Sequence, residues 1–414
     1  MVSVMNKLSR TLLVIFACIL SGCGGKSKLH MAKSLFPEAN LVVVDSVEDS
    51  VFPESISISE SLQKQYNGSN NIGSPVSRIG SGLLRKKWSS ILSHRTLAEP
   101  IVASNKVFVL NKSGISCLDA KNGKRIWRNR IASASGDIAI IDDRLICLAS
   151  GALHEISANN GEILSQIKIN DDARVMSIFG NLAYITNGYW TGAFDISKKQ
   201  MIWERKGIEK SGHIEQYTAR PAVSDKHIVI PYQTGTVLAC TREEGKLLWN
   251  KSLISNDIAQ SSAEIQAGPV LWEGLAIISN VKNKTVAFRV NDGKEMWSIP
   301  AGSLHSATVV KNWGYIMSSD NILICFNPKN GDIAWKTSIP TRKFHKIDHQ
   351  YCNRPVIWGG EIIISTQDMK MLAINPKNGA ITNSWSIEKR ITTPMVPTEM
   401  CMYSVSGDNI TAWK

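Results

Sequence analysis

The stretch "NILICFNPKNGDIAW" (321–335) holds the pentapeptide Asn327–Gly331, "NPKNG", and the same five letters return at Asn375–Gly379. Aligning the chain on that last glycine brings out five further copies. They read "GISCLDAKNGKRIW" (114–127), "GALHEISANNGEILS" (151–165), "GAFDISKKQMIW" (192–203), "GTVLACTREEGKLLW" (235–249) and "KTVAFRVNDGKEMW" (284–297), and the last copy is "MKMLAINPKNGAITN" (369–383). The turn position is Gly123, Gly161, Lys199, Gly245, Gly293, Gly331 and Gly379, at intervals of 38, 38, 46, 48, 38 and 48 residues. Four residues after it stands Trp127, Trp203, Trp249, Trp297 or Trp335, with Ser165 and Asn383 as exceptions.

Each part of the unit has a physical reading. "LICF" is a short apolar strand, and "NPKNG" is a tight turn in which proline fixes φ and glycine is free to take φ > 0. The run ending in Trp returns antiparallel, and the alternation in "KRIW" and "KLLW" predicts one packed and one wet face. Upstream lies a proline column, Pro100, Pro221, Pro269, Pro355 and Pro394. Proline fits the start of a strand, where no ladder hydrogen bond is lost. Seven residues beyond each stands an apolar strand position: Val107, Ile228, Ala276, Ile362 and Cys401.

Four antiparallel strands per 38–48 residues is the blade of a β-propeller. The C-terminal "DNITAWK" (408–414) matches a third strand, and "LLRKKWSSIL" (83–92) supplies an isolated Trp strand carrying Trp88. Pairing them closes the ring without open edges. The expected fold is therefore all-β: an eight-bladed β-propeller of four-stranded antiparallel blades over 81–414, closed by a composite N-/C-terminal blade. In it Trp88, Trp127, Trp203, Trp249, Trp297 and Trp335 are expected to dock between blades. Cys117 and Cys325 share a column with Ala193, Ala239, Ala287 and Ala373. This reads as small buried groups, so the mature cysteines are expected to be mostly free.

The N-terminus has a different character. A basic "MNKLSR" precedes the ten apolar residues Thr11–Leu20, too few for a permanent membrane span and of the length of a signal-peptide core. "LSGC" (20–23) follows and resembles the lipobox of bacterial lipoproteins. That resemblance implies that residues 1–22 are a signal peptide and that Cys23 is lipidated, its acyl chains anchoring the chain. Gly24 in place of an aspartate points to the outer membrane. Residues 23–80 then form the lipidated Cys and a polar, Ser/Asn-rich tether spanning on the order of 40 Å.

The chain has 414 residues, 43% hydrophobic and 20% charged, with a net charge of +12. Loss of 1–22 would leave +10, which reads as a solvated basic surface on an exported chain, not a nucleic-acid site. The best metal-like pattern, "HKIDHQYC" with His345, Asp348, His349 and Cys352, follows Pro340 in an expected loop and lacks the glutamate of HExxH. "GSGLL" (80–84) lacks the Lys-Ser/Thr of a phosphate cradle, and no "CxxCH" occurs. No carboxylates pair for acid–base work. The chain is expected to be no enzyme, with no catalytic residue, metal or cofactor.

The blade ending Asp-x-x-x-Gly-x-x-x-Trp, as in "LDAKNGKRIW", resembles the repeat of pyrroloquinoline-quinone-type propellers. One branch is the quinoprotein alcohol dehydrogenases, which hold cofactor and Ca²⁺ in the axial channel and often use a vicinal cysteine disulfide; no "CC" occurs here. Lipobox, polar tether, Trp-type blades and composite closure are together more similar to the BamB family, lipoprotein scaffolds of the outer-membrane β-barrel assembly machinery. That resemblance implies an outer-membrane, periplasm-facing monomeric propeller within a larger complex, contacting a BamA-like barrel-assembly subunit through loops of neighbouring blades. The 46- and 48-residue intervals place extra residues at 207–221 and 254–269, making Glu215, Tyr217, Arg220, Glu264 and Gln266 the candidate contacts. The family's Asp-x-Asp stands here as Glu264-Ile265-Gln266, and its Arg has no clear match near Tyr217. The alternatives are a quinone-cofactor enzyme or sensor, and a lipidated propeller with an unrelated periplasmic partner.

Overall fold

In a computed structural model the described residues are 84–131, 136–170, 172–207, 218–253, 264–340 and 352–414. They form eight four-stranded antiparallel sheets, each one blade of a propeller. Blades 1 to 7 occupy 101–129, 136–168, 175–206, 222–252, 270–299, 308–338 and 356–386. Within each, the strands run in chain order from the axis outwards. Blade 8 is composite, with Lys86–Ile91 as the outer strand on Asn409–Trp413. Arg85 and Lys414 exchange two backbone hydrogen bonds of 2.8 Å, which close the ring.

The prolines stand where the axial strands begin. Pro100, Pro221, Pro269 and Pro355 immediately precede the innermost strands of blades 1, 4, 5 and 7, and Pro394 lies two residues before that of blade 8. There a missing N–H costs no ladder bond. The antiparallel order then fixes the faces of the disc. Connections from one blade's outer strand to the next blade's axial strand emerge on one face, and the glycine turns on the other.

The turn at 327–331 has a second duty beyond reversing the chain. Gly331 sits at φ 80°, and its N–H closes onto the Asn327 carbonyl at 2.8 Å. The Trp297 indole of the preceding blade lies against it, so that a Cβ on Gly331 would stand 2.9 Å from the ring. The same indole donates its N–H to the Pro328 carbonyl at 2.9 Å. Five other junctions repeat this contact, with Trp88, Trp127, Trp203, Trp249 and Trp335 donating to the carbonyls of Ala120, Ala158, Arg242, Val290 and Pro376. Each of these rings also covers the glycine of the turn that it reaches. The repeat therefore encodes a joint between neighbours, with Trp in one blade and Gly in the next.

Both exceptions follow from the joint. Blade 2 has Ser165 where Trp would stand, its hydroxyl bonded to Glu155, which also pairs with Arg144. With no ring to receive, blade 3 carries Lys199 in the turn, at φ 57°. Blade 7 has Asn383, and it faces the composite blade, where Lys414 stands in place of a turn. Trp385, two residues on, is buried there against Leu84 and Met402. An alanine at Gly161 meets both left-handed strain of about 1–2 kcal/mol and a Cβ 2.4 Å from Trp127. Gly161→Ala is expected to cost about 2–4 kcal/mol once the overpacking is added. Lys199→Gly should stay within about 1 kcal/mol of the parent. Urea unfolding of the two variants checks the contrast.

The expected packed and wet faces of the Trp strand are present, as in blade 5, where Trp297 and Ile299 are buried and Met296 and Ser298 exposed, with one local irregularity. In blades 1 to 7 the third and outer strands slip by one residue beside the Trp position, as between Cys325 and Phe326. The extra residue disturbs the alternation just before the Trp, so Leu247 and Glu295, on the Trp side by strict alternation, are exposed as well as Ile126, Leu248 and Met296 on the wet side.

The core lies between blades. Phe108, Cys117 and Trp127 of blade 1 meet Ile138, Leu145 and Ile156 of blade 2 in one cluster, and comparable clusters follow around the ring. The six described cysteines are free and buried. Burial pushes the Cys117 thiol up to about 11 and that of Cys352 to about 12, so neither is a thiolate near neutrality.

Candidate functional site

The starts of the axial strands converge on a mouth of about 150 Å³. Glu99 of blade 1, Arg220 of blade 4, Gln266 of blade 5, His305 of blade 6 and Arg354 of blade 7 line it. Each comes from the segment that enters its axial strand, so the ring geometry itself gathers side chains far apart in sequence.

The charges in the mouth are paired across blades. Asp137, 1% exposed, accepts from Arg220 at 2.7 Å and from the amides of Ile138 and Met176 at 2.9 and 3.0 Å. One carboxylate thereby clasps blades 2, 3 and 4. Burial pushes its pKa up, against the pull of Arg220 and the two amides. Arg354 approaches Glu99 at 3.5 Å through one end of its guanidinium. Its buried Nε has no hydrogen-bond partner among the described residues.

His305 donates to the Cys352 carbonyl at 3.0 Å. Burial first, then the charge of Arg354, lowers its pKa from 6.5 to about 4. The neutral ring is thus the folded form. Below about pH 6.5 the unfolded chain takes up a proton that the folded chain refuses until about pH 4. Its stabilising contribution is complete above pH 6.5, declines as pH falls, and levels off below 4. His305→Gln, which keeps a donor for Cys352, is expected to flatten the acid slope of the thermal midpoint across that window.

Of the candidate contacts, Arg220 and Gln266 are brought together in the mouth. Glu264 lies beside it, half-buried, its carbonyl accepting from Val281 at 2.9 Å. Ile265 between them is fully buried in the core of blades 4 and 5. Glu215, Tyr217 and Cys23 lie outside the described residues, as do His345, Asp348 and His349. Among the described residues, no cluster of three His, Cys, Asp or Glu could hold a metal ion. Sequence reading missed Asp137, Glu99, His305 and Arg354. None belongs to a local motif, and only their common place before or at the start of an axial strand links them.

A family model described as outer membrane protein assembly factor BamB matches residues 88–167 and 170–337, more than half of the chain. The chain belongs to the BamB family. A BamB from Moranella endobia is 22% identical over 333 residues, covering 75% of this chain and 81% of that protein. The crystal structure of BamB from Moraxella catarrhalis superposes with a TM-score of 0.67 at 17% identity, covering 80% of this chain and all of that one. A quinohemoprotein alcohol dehydrogenase from Comamonas testosteroni reaches a TM-score of 0.66 at 10% identity, over 90% of this chain and 83% of its own, a likeness of fold.

That second likeness raises the question of a quinone cofactor. Ligand pockets enclose about 300–1,000 Å³, whereas the axial mouth offers about 150 Å³ among the described residues. Glu99, the one carboxylate among the described residues lining it, lies 3.5 Å from Arg354. The described residues do not fit such a group.

Proposed function

We propose that this chain is a non-enzymatic scaffold of outer-membrane β-barrel assembly, presenting the axial mouth and the inter-blade segments 207–221 and 254–269 to a BamA-like barrel-assembly subunit. Residues 1–22 act as a lipoprotein signal, lipidated Cys23 anchors the chain in the outer membrane, and 23–80 let the propeller stand off in the periplasm. The observation that carries the reading is the meeting of Arg220 and Gln266 in one polar mouth at the roots of both long segments. Family membership supports it.

The test is a mild-detergent pull-down of the full-length chain beside a Glu215/Tyr217/Glu264 triple-alanine variant. Recovery of a barrel-assembly subunit by the parent and its loss in the variant is the expected result. Recovery by both would keep the scaffold and discard these contacts. Recovery of an unrelated periplasmic protein alone would replace the proposed partner.

A further inference from the structure

The junction between blades 2 and 3 departs from the other Trp-jointed ones. It lacks both halves of the joint, with Ser165 for Trp and Lys199 for Gly. Its indole comes from the opposite side: Trp190, on the third strand of blade 3, lies over Gly192 and beside Phe194, with ring centroids 6.2 Å apart. At Gly192 a Cβ would stand 2.5 Å from that ring, so the inverted arrangement is itself built into the sequence. The Trp190 N–H is held by Glu204 at 2.7 Å. Reversal of the indole leaves an open cleft of about 420 Å³, floored by Ile167, Trp190, Phe194 and Met201.

Lysines frame this floor. Lys168, Lys199 and Lys206 all line the cleft, against the single carboxylate of Glu204. Glu204 is shared between Trp190 and Lys206, the latter at 3.8 Å. Among the described residues no carboxylate lies within ion-pairing distance of Lys168 or Lys199. The two outer strands that bound the junction also expose Ile163, Leu164, Met201 and Ile202. An apolar floor under a cationic rim selects one chemistry: a side chain that is aromatic or aliphatic, with carboxylates beside it.

We infer that the blade 2–3 cleft docks an acidic peptide segment of a partner, which inserts an apolar side chain against Trp190, Phe194 and Met201 while its carboxylates meet Lys168, Lys199 and Lys206. The six Trp joints supply the template, since each shows a blade junction of this fold accepting one aromatic ring. Here the ring is supplied in trans. The cleft draws on no residue of the axial mouth, so it can be occupied while the mouth is engaged.

The test is fluorescence anisotropy of a fluorescein-labelled nine-residue peptide alternating Glu/Asp with Phe/Leu, titrated with the full-length chain in detergent. Its counterpart with lysine replacing each acid is run beside it. The acidic peptide is expected to bind saturably and at least about tenfold tighter than the basic one. Lys168→Glu/Lys199→Glu/Lys206→Glu is expected to weaken it at least about tenfold, with added salt acting in the same direction. Met201→Asp should weaken it several-fold, and Lys329→Glu/Lys377→Glu, on distant turns, should leave it unchanged. Near-UV circular dichroism identical to the parent's verifies that the exposed substitutions preserve the fold. Equal affinity for both peptides, equal affinity in the triple variant, or no saturation by about 1 mM would overturn the inference. So would binding to phosphatidylglycerol vesicles that the triple variant loses while the peptide fails to bind, because that outcome assigns the cleft to a membrane surface.

Discussion

Trp297→Ala is expected to lower the unfolding free energy by about 3–5 kcal/mol, the range for deleting a buried aromatic from a core. The indole is 7% exposed and touches Phe326 of the next blade with centroids 5.4 Å apart. It donates to Pro328, and it covers Gly331. Truncation removes all three contacts and leaves a cavity between two sheets, where rigid strands on both sides limit collapse. The loss should show in urea unfolding as a lower midpoint with little change in slope. A second substitution in the same joint, Gly331→Ala, should cost much less in the Trp297→Ala background than in the parent, because the ring that its Cβ would meet is gone. Coupling energies of 0.5 kcal/mol or more are the signature of groups in contact. Additive effects would mean that the ring and the turn do not meet.

Arg220→Ala carries the second large effect. It removes the charge facing Asp137, a carboxylate buried to 1% exposure, and breaking a buried pair from one side costs about 3–5 kcal/mol. The bond spans blades 2 and 4, so its loss loosens the axial end of the ring as well as one contact. Asp137→Asn in the same chain should recover part of the loss. Ile138 and Met176 donate to different carboxylate oxygens, so the single amide oxygen keeps one of the two bonds, but no uncompensated charge remains. If Arg220→Ala is mild alone, the carboxylate has access to water or to another cation.

Much of this architecture could be read from the glycine turn alone. Turn chemistry at Gly123 to Gly379, with Trp four residues on, gives strand order, blade count and the composite closure, because each is local and repeats. The exceptions could be seen but not explained. Ser165 and Lys199 lie in different repeats, and only the neighbouring blades in space show that an absent ring and an absent glycine are one event. The slip beside each Trp was likewise hidden, since a one-residue bulge leaves the hydrophobic pattern plausible and only exposes residues such as Leu247, two before Trp249, on the side that alternation would pack. The axial mouth was half legible. Arg220 and Gln266 follow from long intervals, whereas Asp137, His305 and Arg354 carry no motif and become a site only when eight strands converge.

The measurement that tests the scaffold reading most directly is hydrogen exchange of the chain alone and bound to the periplasmic part of a barrel-assembly subunit. New protection is expected at 218–220 and 264–268, around Arg220 and Gln266, with the glycine turns on the opposite face unchanged. Protection confined to those turns, with the mouth exchanging as in the free chain, would contradict it.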